Sequence, residues 1–291
     1  MSIAAELPNR RIEAWKYSDL RGVVGDQPHV LREGLDIIER LAPGTQQLDV
    51  PAGETRLLVE RMDDHRHMDA RAVDYSVGEG ASLTRVVIQT GSDLPLSVAR
   101  VRLAAGAKYA QFVLALGGRL ARIETHVDVD GEGAEVELNG VYMVGAGRHA
   151  DLTSVIHHRV ANCVTRQLIK GVALKGGRGV FQGKIVVERG AQKTDARQYH
   201  HGMLLEAGAE IFAKPELMIY ADDVQCAHGN TAGGLDEGSL FYMRSRGIPE
   251  AEARALLIES FLVEAIPAGF AAELDGELRE HIRAWLAEAR I

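Results

Sequence analysis

Apolar and polar residues alternate in short runs from about Thr55 to Tyr220, as in Leu83 to Ile88, Val98 to Leu103, Tyr109 to Leu116 and Glu135 to Val141. Glycine-rich breaks separate the runs. A period of two puts alternate side chains on one face of an extended chain, so this stretch reads as β-strands throughout. Ahead of it, the segment from Pro8 to Arg40 carries Arg10, Arg11, Glu13, Trp15, Lys16 and Tyr17, then a short helical pattern from Val30 to Leu41 (Leu31, Leu35, Ile38, Leu41). Behind it the period lengthens. Pro249 suits the first turn of a helix running to about Ile266, with Leu256, Leu257, Ile258, Phe261, Leu262 and Ile266 apolar. Pro267-Ala268-Gly269 interrupts, and a second stripe follows in Leu274, Leu278, Ile282, Trp285 and Leu286. Such stripes are expected to pack on the β-core or on each other, with a partner-docking surface as the other reading.

A Gly-Ala pair precedes strand after strand: Gly80-Ala81, Gly106-Ala107, Gly133-Ala134, Gly190-Ala191 and Gly208-Ala209. The first intervals are 26 and 27 residues, and the next, 57, is close to two of them. A period of this size points to stacked coils, each burying its apolar face against its neighbours. The expected fold is therefore mainly β, a right-handed parallel β-helix preferred to a sandwich. The expected organisation is a short mixed N-terminal segment over 1–54, a β-helix core over 55–247 and a C-terminal helical region over 248–291.

Composition narrows the function. With 46% hydrophobic residues in 291, the chain can bury a sizeable core, and a formal net charge of −8 gives no attraction to nucleic acid or anionic membranes. The start shows no apolar leader and no run approaches a membrane span, so a soluble, cytoplasmic protein is expected. Cys163 and Cys226 are the only cysteines, too few for a disulfide framework or a four-thiolate cluster. Metal chemistry here would need borrowed ligands.

No phosphate loop, nucleophile elbow, H-E-x-x-H or paired C-x-x-C is present, so no known catalytic constellation is encoded. The histidine pairs His65/His67, His157/His158 and His200/His201 lack companion ligands at metal spacing and read as structural or surface groups. Cys226-Ala227-His228 is more informative, because residues i and i+2 of a strand share a face. A thiol and an imidazole side by side could ligate iron or zinc or hold a sulfur species, yet two ligands are half a site. On the residues alone, a buried thiol beside an incidental histidine is favoured. A polysaccharide-active β-helix enzyme would need paired carboxylates; Asp222 and Asp223, as strand neighbours, would face opposite sides. A bare β-solenoid is the third reading.

The run KPELMIYADDVQCAHGNTAGGLDEGSLFYMRSRGIPEAEARALLIESFLVEAI, Lys214 to Ile266, resembles the C-terminal signature of the SufB/SufD family. Similar pieces are EAWKYSDLR (Glu13 to Arg21), NCVTRQLIKGV (Asn162 to Val172) and FQGKIVVERGAQKTDARQ (Phe181 to Gln198). The SufD branch fits best, because Thr194 to Leu217 lacks the cysteines expected of a SufB-like chain. The resemblance implies a non-catalytic scaffold for iron–sulfur cluster assembly, with a β-helix whose edge pairs with SufB and C-terminal helices that dock the SufC ATPase. When isolated it could form a homodimer. By the same resemblance His228, with Cys226 beside it, matches a histidine facing a SufB cysteine at the heterodimer interface. No tightly bound cofactor is expected in the chain alone, a cluster being held transiently between subunits. Family members commonly carry a longer helical domain before the EAWKY run, which is nearly absent here.

Overall fold

The computed structural model describes residues 6–25, 31–63, 67–91 and 93–291. Val30 and His65 lie outside them.

Each coil of the chain gives one strand to each of two parallel sheets. The first sheet is β1 (Thr45–Val50), β3 (Met68–Val77), β5 (Leu94–Leu103), β7 (Ala121–Val129), β9 (His149–His158), β11 (Arg178–Val187) and β13 (Glu210–Ile219), in that order. The second is β2 (Thr55–Met62), β4 (Ser82–Gln89), β6 (Lys108–Ala115), β8 (Glu135–Val144), β10 (Val164–Ala173), β12 (Asp195–Leu204) and β14 (Gln225–Gly233). This is a parallel β-helix, as the alternation and the repeat led us to expect. Strands begin at Thr45 rather than 55, and helix returns at α3 (Glu237–Ser245), within the stretch assigned to the core.

The repeat arises at one corner. The residue two places before each of β2, β4, β6, β8, β10 and β12 has a left-handed backbone: Gly53 (φ 71°), Gly80 (61°), Gly106 (62°) and Gly133 (73°), then Asn162 (60°) and Lys193 (60°). Its N–H donates to the coil above, Gly80 to the Ala105 carbonyl and Asn162 to that of Gln192, both at 2.9 Å. Glycine adopts this conformation without Cβ strain and asparagine more readily than most residues, so Asn162-Cys163 is a further copy of the Gly-Ala corner. Gly190 lies earlier in its turn, and Gly208 (φ 88°) sits at the other corner, before β13. Successive register partners Ser82, Lys108, Glu135, Val164 and Asp195 are 26, 27, 29 and 31 residues apart. Coil length thus varies along the chain, longer in the later coils, while the strands stay in register.

Both outer faces are covered. Against the first sheet lies the N-terminal segment, where Leu7, Trp15, Leu20, Val24, Ile38 and Leu41 pack on Ala72, Leu94, Leu96 and Val98. Its anchor is a buried ion pair: Arg122 donates to Asp151 at 2.8 Å, with Trp15 laid over the guanidinium at 4.2 Å. Asp19 caps α1 (Leu20–Val24) through the Gly22 N–H, and the helical pattern farther on is realised only as α2 (Ile37–Leu41). Against the second sheet lie α4 (Glu250–Val263) and α5 (Ala272–Glu288). Ile258, Leu262, Leu274, Leu278, Ile282, Trp285 and Leu286 join Val86, Phe112, Val141 and Val172 in one apolar cluster. The C-terminal stripes therefore pack on the protein's own core. Outside this cover, α3 and α4 expose Phe241, Tyr242 and Leu256. No helix of the described residues is long and apolar enough to cross a membrane.

Candidate functional site

Cys226 and His228 lie on β14, the terminal strand of the second sheet, whose far edge has no neighbouring strand among the described residues. Their direction follows from what surrounds them. Cys226 packs against the apolar cluster between the sheets, and Asn230, four residues on, meets the buried His200 ring at 2.7 Å. Cys226, His228 and Asn230 therefore share the inner face, in register over Ala196, Gln198 and His200. Asp195, Arg197, Tyr199 and His201 alternate with these on the outer face. Cys226 is half-buried and His228 exposed at the open end of the stack. The structure thus brings together the two residues singled out from the sequence.

Burial pushes the Cys226 thiol upward, a backbone hydrogen bond at Ala196 opposes this, and the Asp195 carboxylate adds to the rise. Cys163 is buried, its thiol raised by burial and its Sγ donating to the Ala161 carbonyl at 3.2 Å. A thiol in either setting is a poor thiolate until a cation or metal approaches. No group of three or more His, Cys, Asp or Glu residues among the described ones could enclose a metal ion. Cys226 and His228 can offer one sulfur and one nitrogen at an open edge; completing a four-coordinate site needs donors from another chain.

The other histidines separate cleanly. His157 faces outward to Glu188 at 2.8 Å, whereas His158 faces inward to Thr165 at 2.8 Å. His200 lies between the Tyr142 and Phe181 rings, at centroid distances of 5.9 and 5.2 Å, while His201 meets Thr231 outside. His67 meets Asp93 at 3.1 Å on the surface. Burial lowers His158 and His200 to about 4, so both are neutral imidazoles. Asp222 and Asp223 are not on a strand as expected; they form the bend before β14. There the Asp223 carboxylate pairs with Lys193 at 3.1 Å.

What the sequence reading missed is the polar interior. One inward column of the second sheet runs Arg85, Gln111, Leu138, Gln167, Gln198, His228. Its first part is a closed network. Arg85, fully buried, donates to both Glu60 oxygens at 2.7 and 2.8 Å, to Gln111 at 3.0 Å and to Ser97 at 3.1 Å. The Tyr75, Tyr109 and Thr125 hydroxyls complete it. Burial alone would raise Glu60, but Arg85 and the Tyr75 hydroxyl outweigh it and hold the carboxyl below its ordinary range. After Leu138 a second chain begins. Ser154 and Gln167 bond at 2.9 Å, and Gln198 Nε2 donates to Gln167 Oε1 at 2.8 Å, one strand beneath His228. Recurrence of Gln167 and Gln198 at the coil interval was the signal available in the sequence.

A two-sheet parallel β-helix covered at both faces, with a thiol–imidazole pair on its open terminal strand, places the chain among the β-solenoid proteins. The profile of the SUF system FeS cluster assembly SufBD core domain matches residues 49–261. The chain is 32% identical over 226 residues to the iron–sulfur cluster assembly protein SufD of Escherichia coli, covering 76% of this chain and 53% of that one. It is 32% identical over 206 residues to a SufBD family protein of Synechocystis, covering 70% and 46%. To the chloroplastic protein ABCI7 of Arabidopsis thaliana it is 37% identical over 187 residues, covering 64% and 39%. The chain belongs to the SufB/SufD family and is of the SufD type. It spans about half the length of the curated relatives it matches.

Proposed function

We propose that this chain is a non-catalytic scaffold subunit of a cytoplasmic iron–sulfur cluster assembly complex. The open terminal strand meets a SufB-like partner, and the exposed aromatics of the C-terminal helices meet a SufC-type ATPase. The observation that carries this reading is the placement of Cys226 and His228 together on the inner face of a strand with an open edge. A partner adding its own thiolates at that edge would complete what two donors cannot. The cluster is then cargo shared between chains. Phe241 and Tyr242, 73% and 59% exposed on α3, supply the apolar patch for the ATPase, since the α4 and α5 stripes are already used on the β-core.

The test is His228→Ala in cells that depend on this assembly route, compared at equal complex abundance. Assembly with the partners should survive and cluster formation should fall; wild-type cluster output would remove His228 from the proposal. Pulldown from native extract adds a second reading. SufB and SufC should co-purify, and SufC alone should be lost on replacing Phe241 and Tyr242 by Ala.

A further inference from the structure

Two groups at the end of the inner column lack partners, and they are neighbours. Gln198 is fully buried and its Oε1 has no hydrogen bond, while the imidazole of His228, directly in register with it on β14, has no hydrogen-bond partner among the described residues. An unpaired buried acceptor costs roughly 1–3 kcal/mol, so its presence calls for an explanation. Nothing about the Gln198 side chain is loose. Its Nε2 is held by Gln167 Oε1 at 2.8 Å, and Gln167 Nε2 is held in turn by Ser154 at 2.9 Å. Gly183 stands where any Cβ would come within 2.2 Å of Gln198 Nε2, so the amide is wedged as well as bonded. With the nitrogen committed downward to Gln167, the oxygen is left as the free end of the chain, and the strand that carries Gln198 runs one spacing of about 4.8 Å from the strand that carries His228.

We infer that Gln198 is a positioning residue for His228: its Oε1 accepts one imidazole N–H and so leaves the lone pair of the other ring nitrogen facing the open edge. This rests on the assignment of His228 as a functional donor and says what prepares it. A ligating histidine regularly hands its second N–H to an oxygen acceptor, which fixes both tautomer and ring direction. Elsewhere such an acceptor is often a carboxylate. In this chain it is a neutral amide at the end of a Ser154–Gln167–Gln198 relay, so it orients the ring without adding a charge at an edge that must accept an anionic sulfur species.

The experiment is long-range proton–nitrogen NMR on the full chain labelled with nitrogen-15 at histidine, with the His228 signals assigned by comparison with His228→Ala. The wild type should show one tautomer. Gln198→Met, which keeps the length and removes the acceptor, should give a mixture, and Gln198→Glu, which restores an oxygen, should return a single tautomer. If Gln198→Met does not fold, Gln198→Asn decides, because it withdraws the oxygen by one methylene. In cells at equal protein abundance, cluster output should fall about tenfold in the Met or Asn variant and recover in Gln198→Glu. An averaged His228 tautomer in the wild type, or one that Gln198→Met and Gln198→Asn leave unchanged, overturns the inference while leaving the scaffold reading standing. A locked tautomer together with a fully active His228→Ala would sink the functional assignment instead, and with it the positioning role of Gln198.

Discussion

The two polar stretches of the interior lie on one column and are built to opposite ends. Around Arg85 all three guanidinium nitrogens, the two Glu60 oxygens and the hydroxyls of Tyr75, Tyr109 and Thr125 are engaged. Around Gln198 the chain of hydrogen bonds stops one partner short, at the coil where the stack opens. A closed network in a low-dielectric interior rigidifies and specifies its surroundings, whereas an unfinished one at an edge is available to something that arrives. The same residue chemistry is thus structural at one end of the column and preparatory at the other.

Among single substitutions and single titrating groups, breaking the closed network should produce the largest effect. Arg85→Met strips the Glu60 carboxylate of its cation inside the protein, and a loss of about 3–5 kcal/mol in urea unfolding is expected. A loss below about 1 kcal/mol would mean that the two ends of the column do not differ as described. Acid comes next. Burial lowers His149, His158 and His200 to about 4, while an unfolded histidine titrates near 6.5. Below about pH 6.5 the unfolded chain takes up protons that the folded chain refuses, so stability is full above that value and falls as pH drops toward about 4. At about pH 5 each of the three should cost about 2 kcal/mol relative to about pH 7.5. Equal unfolding midpoints at the two pH values would contradict it. Gly183→Ala sharpens the comparison at the open end, since its Cβ would meet both Gln198 Nε2 at 2.2 Å and the Phe181 ring at 2.5 Å and must displace them. A destabilisation of about 1–3 kcal/mol is expected, together with loss of the single His228 tautomer. The smallest change should come from Cys226→Ser, with a stability loss of about 1 kcal/mol and a smaller drop in cluster output than His228→Ala gives.

The strands and the stacking were legible because Val, Ile and Leu alternate through them and because glycines mark one corner. The repeat looked weaker than it is, since Asn162 and Lys193 take up the left-handed backbone without being glycine, and Gly208 belongs to the opposite corner. The shared face of Cys226 and His228 was legible from their spacing, whereas a role for them came only from the family resemblance. The interior amides were not, because alternation assigns polar residues to solvent, and only the fold turns Gln111, Gln167 and Gln198 inward. Trp15 of the EAWKYSDLR run also hid its purpose: it shields the Arg122–Asp151 pair, which lies more than a hundred residues away in sequence.

The seven strands that the described residues give each sheet, stacked in register, also make the molecule a ruler. Six steps of about 4.8 Å set the first and last rungs about 29 Å apart, a length fixed by hydrogen-bond geometry rather than by side chains. Backbone groups on the first and last rungs are held that far apart, and side-chain substitutions cannot bring them closer; only adding or deleting a whole coil would change the gauge.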